Sequence, residues 1–342
     1  MKRTIVFVFS FFLLVCAGVL SFLVFYPRKY DVPSLQPQTN MLSWSLATGS
    51  EIAYTRIAAK GQKKPFPVIY LHGGPGGFIS DETVARFAPL SENGYDVYLY
   101  DQVGSGHSAR LENIEEYTAV RHLRDLEEIV KKTGAEKVIL IGQSWGAILA
   151  GLFTANHPGK VERLIFTGPG PIYPVRKELE AMAPPDSLRF KKPLISNRLA
   201  SEKVKNLRSK AVSLFAEIFH RKLASDGEMD NFQTLLTGET NKSIVCDTSR
   251  SPGAQGGSGF YVQIMTMRSL RDVKDPRPAL RNSSIPLYIM KGQCDNQVWG
   301  YVTEYLELFP RHRLVVIPDA GHSIADEQPE LFLNTLREFI ND

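Results

Sequence analysis

The sequence predicts an α/β fold: a mostly parallel sheet with helices on both faces and a helical cap inserted late in the chain. Two observations lead there. Short apolar runs alternate with amphipathic helical stretches, as expected for strands buried on both faces of a parallel sheet. That alternation breaks off once, from Pro171 to Ser284, a stretch too long for a connection in a compact domain. Bulk properties agree. With 342 residues, 43% of them hydrophobic and 22% charged, the chain is neither a disordered tail, a collagen-like repeat nor a coiled coil.

The first thirty residues stand apart. Thr4 to Tyr26 carries no charge and lies between Lys2/Arg3 and Arg28/Lys29. A run of that length is long enough to cross a hydrocarbon core. A cleaved signal peptide would need a shorter apolar region ending at a small-x-small site, which Val15-Cys16-Ala17 does not supply. The expectation is therefore a single-pass membrane anchor over residues 4–26 within 1–30, with the body on the outer side. The four basic residues of this segment account for the whole net charge of +4, leaving 36 basic and 36 acidic residues in 31–342. A neutral body has no electrostatic reason to bind nucleic acid.

Residues 31–41 read as a Pro-containing tether, and 42–170 as the first part of the core. Leu42–Leu46 and Glu51–Ile57 flank Ala-Thr-Gly-Ser and predict a hairpin. Pro67–Leu71, Tyr95–Tyr100, Lys137–Ile141, Arg163–Thr167, Pro286–Met290 and Arg313–Ile317 predict buried strands. Ala119–Lys132 has one apolar face, Thr118 as N-cap and Gly134 just past its end. The cap, 171–284, holds a helical stretch around Val204–Leu223 and a glycine-rich loop, Ser251–Gly259. The core resumes over 285–342 and closes with the helix Glu330–Ile340. Cys16 lies in the anchor, and Cys246 with Cys294 makes no disulfide framework.

Chemistry concentrates at the ends of strands. Gly142-Gln143-Ser144-Trp145-Gly146 follows the strand ending at Ile141 and precedes the helical segment Ala147–Asn156. A serine on so sharp a turn needs small neighbours two residues away on each side, and the turn exposes its hydroxyl at the sheet edge. His72-Gly73-Gly74-Pro75-Gly76-Gly77 follows another strand. A phosphate loop would end in Gly-Lys-Ser/Thr, whereas Phe78-Ile79 stands here. The turn instead predicts an oxyanion hole formed by the amides of Gly74 and Trp145. A serine nucleophile needs a base and an orienter. Asp295 and His322 each lie just past a strand, on the same edge as Ser144. His107, His122, His157, His220 and His312 lie on helices, in the cap or before a strand. No metal site is readable from ligand spacing, and the chemistry calls for no cofactor.

These motifs together resemble the proline iminopeptidase (prolyl aminopeptidase) family of the α/β-hydrolase fold. The resemblance rests on His72–Gly77, Asp101-Gln102-Val103-Gly104-Ser105-Gly106-His107-Ser108, Gly142–Gly146 and Ala320-Gly321-His322-Ser323, in that order. It implies a Ser144/Asp295/His322 triad, an oxyanion hole at Gly74 and Trp145, a helical cap, and removal of N-terminal residues from short peptides. The family usually has arginine where Val103 stands and a Trp-Glu motif in its cap. Here Trp44, Trp145 and Trp299 all lie outside the cap. An acid holding the substrate's free amine would have to be Glu228, Asp230, Glu239 or Asp247, with Glu239 favoured by its neighbours Leu235 and Leu236. The expected partner is thus a small peptide, or a small ester or amide if the chain is a carboxylesterase or amidase. A catalytically silent binding protein is the remaining alternative.

Overall fold

The computed structural model describes residues 2–281 and 283–342, with side chains for all of these except 2–6 and 8. Eight strands form one sheet: β1 (Leu42–Ser45), β2 (Glu51–Ile57), β3 (Val68–Leu71), β4 (Val97–Tyr100), β5 (Val138–Gln143), β6 (Val161–Thr167), β7 (Leu287–Gly292) and β8 (His312–Ile317). Their order is β1-β2-β4-β3-β5-β6-β7-β8. The predicted hairpin is the antiparallel β1/β2 pair, β2 meets β4 antiparallel, and every other pairing is parallel. Burial on both faces explains the near-continuous apolar strands. Val138 and Leu140 enter one core with Trp145, Phe153 and Phe166, whereas Ile139 and Ile141 enter the other with Phe87, Leu336 and Phe339.

Two strands outrun their apolar runs. β5 continues to Gln143, paired with Thr167, and β7 continues through Lys291 and Gly292, paired with Val316 and Ile317. Ladder bonds do not require apolar side chains, so a hydropathy reading stops early. The helix Ala119–Thr133 starts where expected. Thr118 Oγ1 accepts from the Arg121 amide at 3.0 Å, and Gly134 ends it with φ +69°.

Between β6 and β7 the described residues form no strand. The insert is built from the helices Asn197–Glu202, Leu207–Phe219, Asp226–Asn241 and Phe260–Ser269, with shorter turns. The helical stretch expected over 204–223 is shorter, because Asn206 and Ser209 form a capping box at its start and His220 turns left-handed at its end.

Two expectations are overturned. Among the described residues no helix is long and apolar enough to cross a membrane, so the anchor over 4–26 and the outer-side location that followed from it are not sustained. Residues 4–6 and 8 of that run lie outside the described side chains. At its carboxyl end the helix Lys2–Phe25 is tied to the insert: Arg208 Nη1 donates to Val24 O at 2.6 Å, and the Arg28 amide donates to Glu228 Oε1 at 3.0 Å. Cysteine is the second correction. Cys246 and Cys294 are joined by a disulfide with Cα atoms 5.3 Å apart, which staples the insert to the loop after β7. The two thiols lie 48 residues apart, and pairing across such a distance depends on how the insert folds back.

Candidate active site

Because β3, β5, β7 and β8 run parallel, the residues after their carboxyl ends share one edge of the sheet. Ser144 follows β5 directly. It takes φ +53°, ψ −112°, an unusual backbone for a non-glycine residue, and caps the helix Trp145–Asn156. Its amide donates to Thr167 O at 3.0 Å, which ties the turn to β6. A side chain at position 146 is excluded, because a Cβ there would sit 2.0 Å from Leu71 O. The close passage of β3 past this turn is thus the physical reason for the second glycine of the motif.

His322 and Asp295 are brought together. His322 Nδ1 and Asp295 Oδ1 are 2.9 Å apart, and the Asp295 side chain is fully buried. A carboxylate at Nδ1 fixes the proton there and leaves the Nε2 lone pair free. Asp295 Oδ1 also accepts from the Gln297 amide at 2.9 Å, and Oδ2 accepts from the Lys291 ammonium at 3.1 Å. Burial alone would push this carboxyl up. Lys291, His322 and the Gln297 amide outweigh burial and hold it well below the usual carboxylate range. The His322 amide donates to Ile244 O of the insert at 2.7 Å.

On the other side of Ser144 lies the turn after β3. Among the described residues neither the Gly74 nor the Trp145 amide has a hydrogen-bond acceptor. Gln102 braces the two halves of this region. Its amide nitrogens donate to His72 Nε2 at 3.0 Å and His72 O at 3.1 Å, while its Oε1 accepts from the Trp145 indole at 2.7 Å. Burial pulls the His72 imidazole down to about 4, so it is neutral at pH 7, with Nδ1 against Gly73 O at 2.9 Å. Sequence reasoning missed both Gln102 and Lys291. Gln102 lay inside a quoted motif, and Lys291 stood four residues before Asp295.

Ser144, His322, Gly73 and Gly74 line a cleft of about 1140 Å³ between the sheet edge and the insert. Phe78, Phe232, Leu236, Phe260 and Ile264 give it an apolar wall. The four acids singled out from sequence do not line it. Glu228 is bound by Arg208, with Nη2 to Oε2 at 2.6 Å, and Asp230 by Arg110 at 2.9 Å. Glu239 pairs with Lys242 at 2.6 Å, and Asp247 is exposed and caps its own turn through the Ser249 amide at 2.9 Å. Each is held by a cation or a turn away from the cleft. The acids that do line it are Glu82, Glu202, Glu217 and Asp326; Glu202 is paired with Lys210 and Asp326 with Arg86.

Comparison with known proteins identifies the fold. The family model for the α/β hydrolase fold matches residues 67–329. Proline iminopeptidase of Arabidopsis thaliana is 33% identical over 118 residues, covering 34% of this chain and 30% of that relative. The match to proline iminopeptidase of Saccharolobus solfataricus covers 37% of its length, so the chain spans about a third of these two relatives. Proline iminopeptidase of Xylella fastidiosa is 26% identical over 280 residues, covering 77% of this chain and 85% of the relative. Among solved structures, an esterase from Exiguobacterium antarcticum superposes with a TM-score of 0.59 at 22% identity, covering 88% of this chain and 99% of its own. Proline iminopeptidase of Mycobacterium smegmatis gives 0.57 at 19%, covering 88% and 98%. At these identities the superpositions carry the fold alone.

Proposed function

Given that the chain belongs to the α/β hydrolase fold family, we propose that it is a serine hydrolase with Ser144, His322 and Asp295 as its catalytic triad. The observation that carries this reading is the 2.9 Å pair between Asp295 and His322 on the same cleft as the strained Ser144 turn. His322 Nε2 takes the Ser144 proton as Oγ attacks the substrate carbonyl. The negative charge on the carbonyl oxygen meets the Gly74 and Trp145 amides at the start of the helix Trp145–Asn156. His322 then returns the proton to the leaving group, and the acyl-enzyme is hydrolysed by water with His322 again as base.

For substrate, the proposed reading is removal of N-terminal residues from short peptides. The support is the proline iminopeptidase of Xylella fastidiosa, aligned over 77% of this chain. A second reading, an ester or amide hydrolase for apolar acyl groups, is favoured by the phenylalanine-lined wall and by the engagement of all four insert acids elsewhere. One experiment separates them. Ser144→Ala should abolish labelling by a fluorophosphonate, and retained labelling refutes the triad. A free-amine proline arylamide is then compared with its N-acetyl form in the unmodified chain. Preference for the free amine supports the peptidase reading; equal turnover, or cleavage of esters alone, supports the second.

A further inference from the structure

Lys291 is the one side chain of β7 that the apolar pattern does not explain. All six residues of the strand are buried, and Leu287 and Ile289, on the same face as Lys291, belong to the larger core. Its side chain is 2% exposed. Taking an ammonium out of water costs several kcal/mol, so a buried lysine needs a partner that repays it. Two oxygens meet the nitrogen: Asp295 Oδ2 at 3.1 Å and Gln297 O at 3.0 Å. The Phe190 ring, itself packed on Trp299 at 5.5 Å, covers the cation with its centroid 5.8 Å away. Lysine, carboxylate and imidazole therefore form a line, with Asp295 shared between Lys291 and His322.

We propose that Lys291 is a positioning residue for the triad, holding Asp295 Oδ2 so that Oδ1 faces His322 and offsetting part of the carboxylate charge that would otherwise stabilise the imidazolium. This rests on the triad reading above. The balance matters because a base too readily protonated is already charged at the operating pH and cannot take the Ser144 proton.

Other charges around the pair are engaged elsewhere. On the helix Ile324–Glu327, Glu327 accepts from the Gly321 amide at 2.6 Å and the Cys246 amide at 2.8 Å, while Asp326 pairs with Arg86 at 2.7 Å. From the insert, Arg250 donates to Glu327 O at 3.1 Å. Asp319, before His322 on the loop after β8, pairs with Lys191 at 2.7 Å. From the helix Trp299–Leu308, Glu304 is bound by Arg277 at 2.8 Å. Among the described residues, Lys291 and His322 are the only basic side chains in contact with Asp295.

The test is the pH profile of kcat/KM for p-nitrophenyl butyrate, measured on the full chain, on Lys291→Met and on Lys291→Gln. Methionine removes charge and donor together, whereas glutamine keeps a donor toward Asp295 without the charge. Losing the cation should raise the midpoint of the acidic limb by about one pH unit in both variants. Glutamine should keep more of the plateau rate than methionine. A residue that merely fills space would lower rate or stability and leave the midpoint where it was. An unmoved midpoint in the folded variants, with Ser144→Ala inactive, overturns the proposal and leaves the triad standing. Failure of both variants to fold also counts against it, since Lys291 would then be a strut. Full activity in Ser144→Ala removes the triad reading itself.

Discussion

Replacing both Cys246 and Cys294 by serine cuts the covalent tie between the insert and the loop that carries Asp295. The bridge closes a loop of 48 residues. Leaving that loop open in the unfolded chain is worth about 4 kcal/mol in the chain-entropy treatment. With a urea m value of about 3 kcal/mol/M, the unfolding midpoint should fall by roughly 1 M. The position of the bridge adds a second expectation. It adjoins Asp295, and two residues before Cys246 the carbonyl of Ile244 holds the His322 amide at 2.7 Å. Local opening there disturbs the site before the sheet unfolds. The assay follows tryptophan fluorescence and p-nitrophenyl butyrate hydrolysis over the same urea series, in the unmodified chain and in the double variant. Activity should vanish at lower urea than fluorescence in the variant and together with it in the unmodified chain. An unchanged midpoint, or coincident loss in the variant, refutes the reasoning.

Gly168 has φ +50°, and a Cβ there would lie 2.6 Å from His322 Nδ1; Gly168→Ala should lower kcat by about 100-fold through displacement of the ring, and an unaltered kcat would show that the ring tolerates the methyl. Stability should fall as pH drops from 6.5 toward 4, because the unfolded chain binds a proton at His72 that the folded chain, with this imidazole pulled down to about 4, refuses. The sign is fixed by the depressed basicity: the contribution is intact above the unfolded value and costs about 3 kcal/mol by pH 4, so urea midpoints measured across that range should decline for the unmodified chain and less steeply for His72→Gln. Glu228→Ala strands the nearly buried Arg208 and should destabilise by about 3 kcal/mol in urea melts. Glu239→Gln and Asp247→Asn, which lie off the cleft, should leave KM for a free-amine arylamide unchanged; a several-fold rise in either would bring that acid back to the substrate.

Most of the sheet was legible because its strands are buried on both sides, which compels runs such as Val138–Ile141 to be apolar throughout. Ser144 was legible for a related reason, since close passage of β3 excludes a side chain at Gly146 and leaves a sequence mark. Lys291 left none. At the end of an apolar run, a lysine reads as the edge of a strand, and only the ladder with Val316 shows that the strand continues through it. Two of the insert acids were misread because their partners are distant in sequence: Arg208 is 20 residues from Glu228, and Arg110 is 120 from Asp230, whereas Glu239 with Lys242 and Asp247 with Ser249 are local pairs that the sequence did offer. For Glu228 and Asp230 the acid looks free until the fold brings its cation, and helical spacing within the insert carries no sign of that.

The hydrogen bond from the His322 amide to Ile244 O has a consequence for anyone re-engineering this chain. The histidine is anchored jointly by the sheet and by the insert, with the Ser323 amide also reaching the same carbonyl at 3.3 Å and Glu327 gripping the neighbouring Cys246 and Asp247 amides. The insert is therefore no interchangeable hat. A chimera that imports another insert to change selectivity removes the clasp on its own base unless residues 244–247 come from the recipient. Crossover points for such grafts belong before Ile244 and after Asp247, where the two halves of the molecule can be traded without unfastening the histidine.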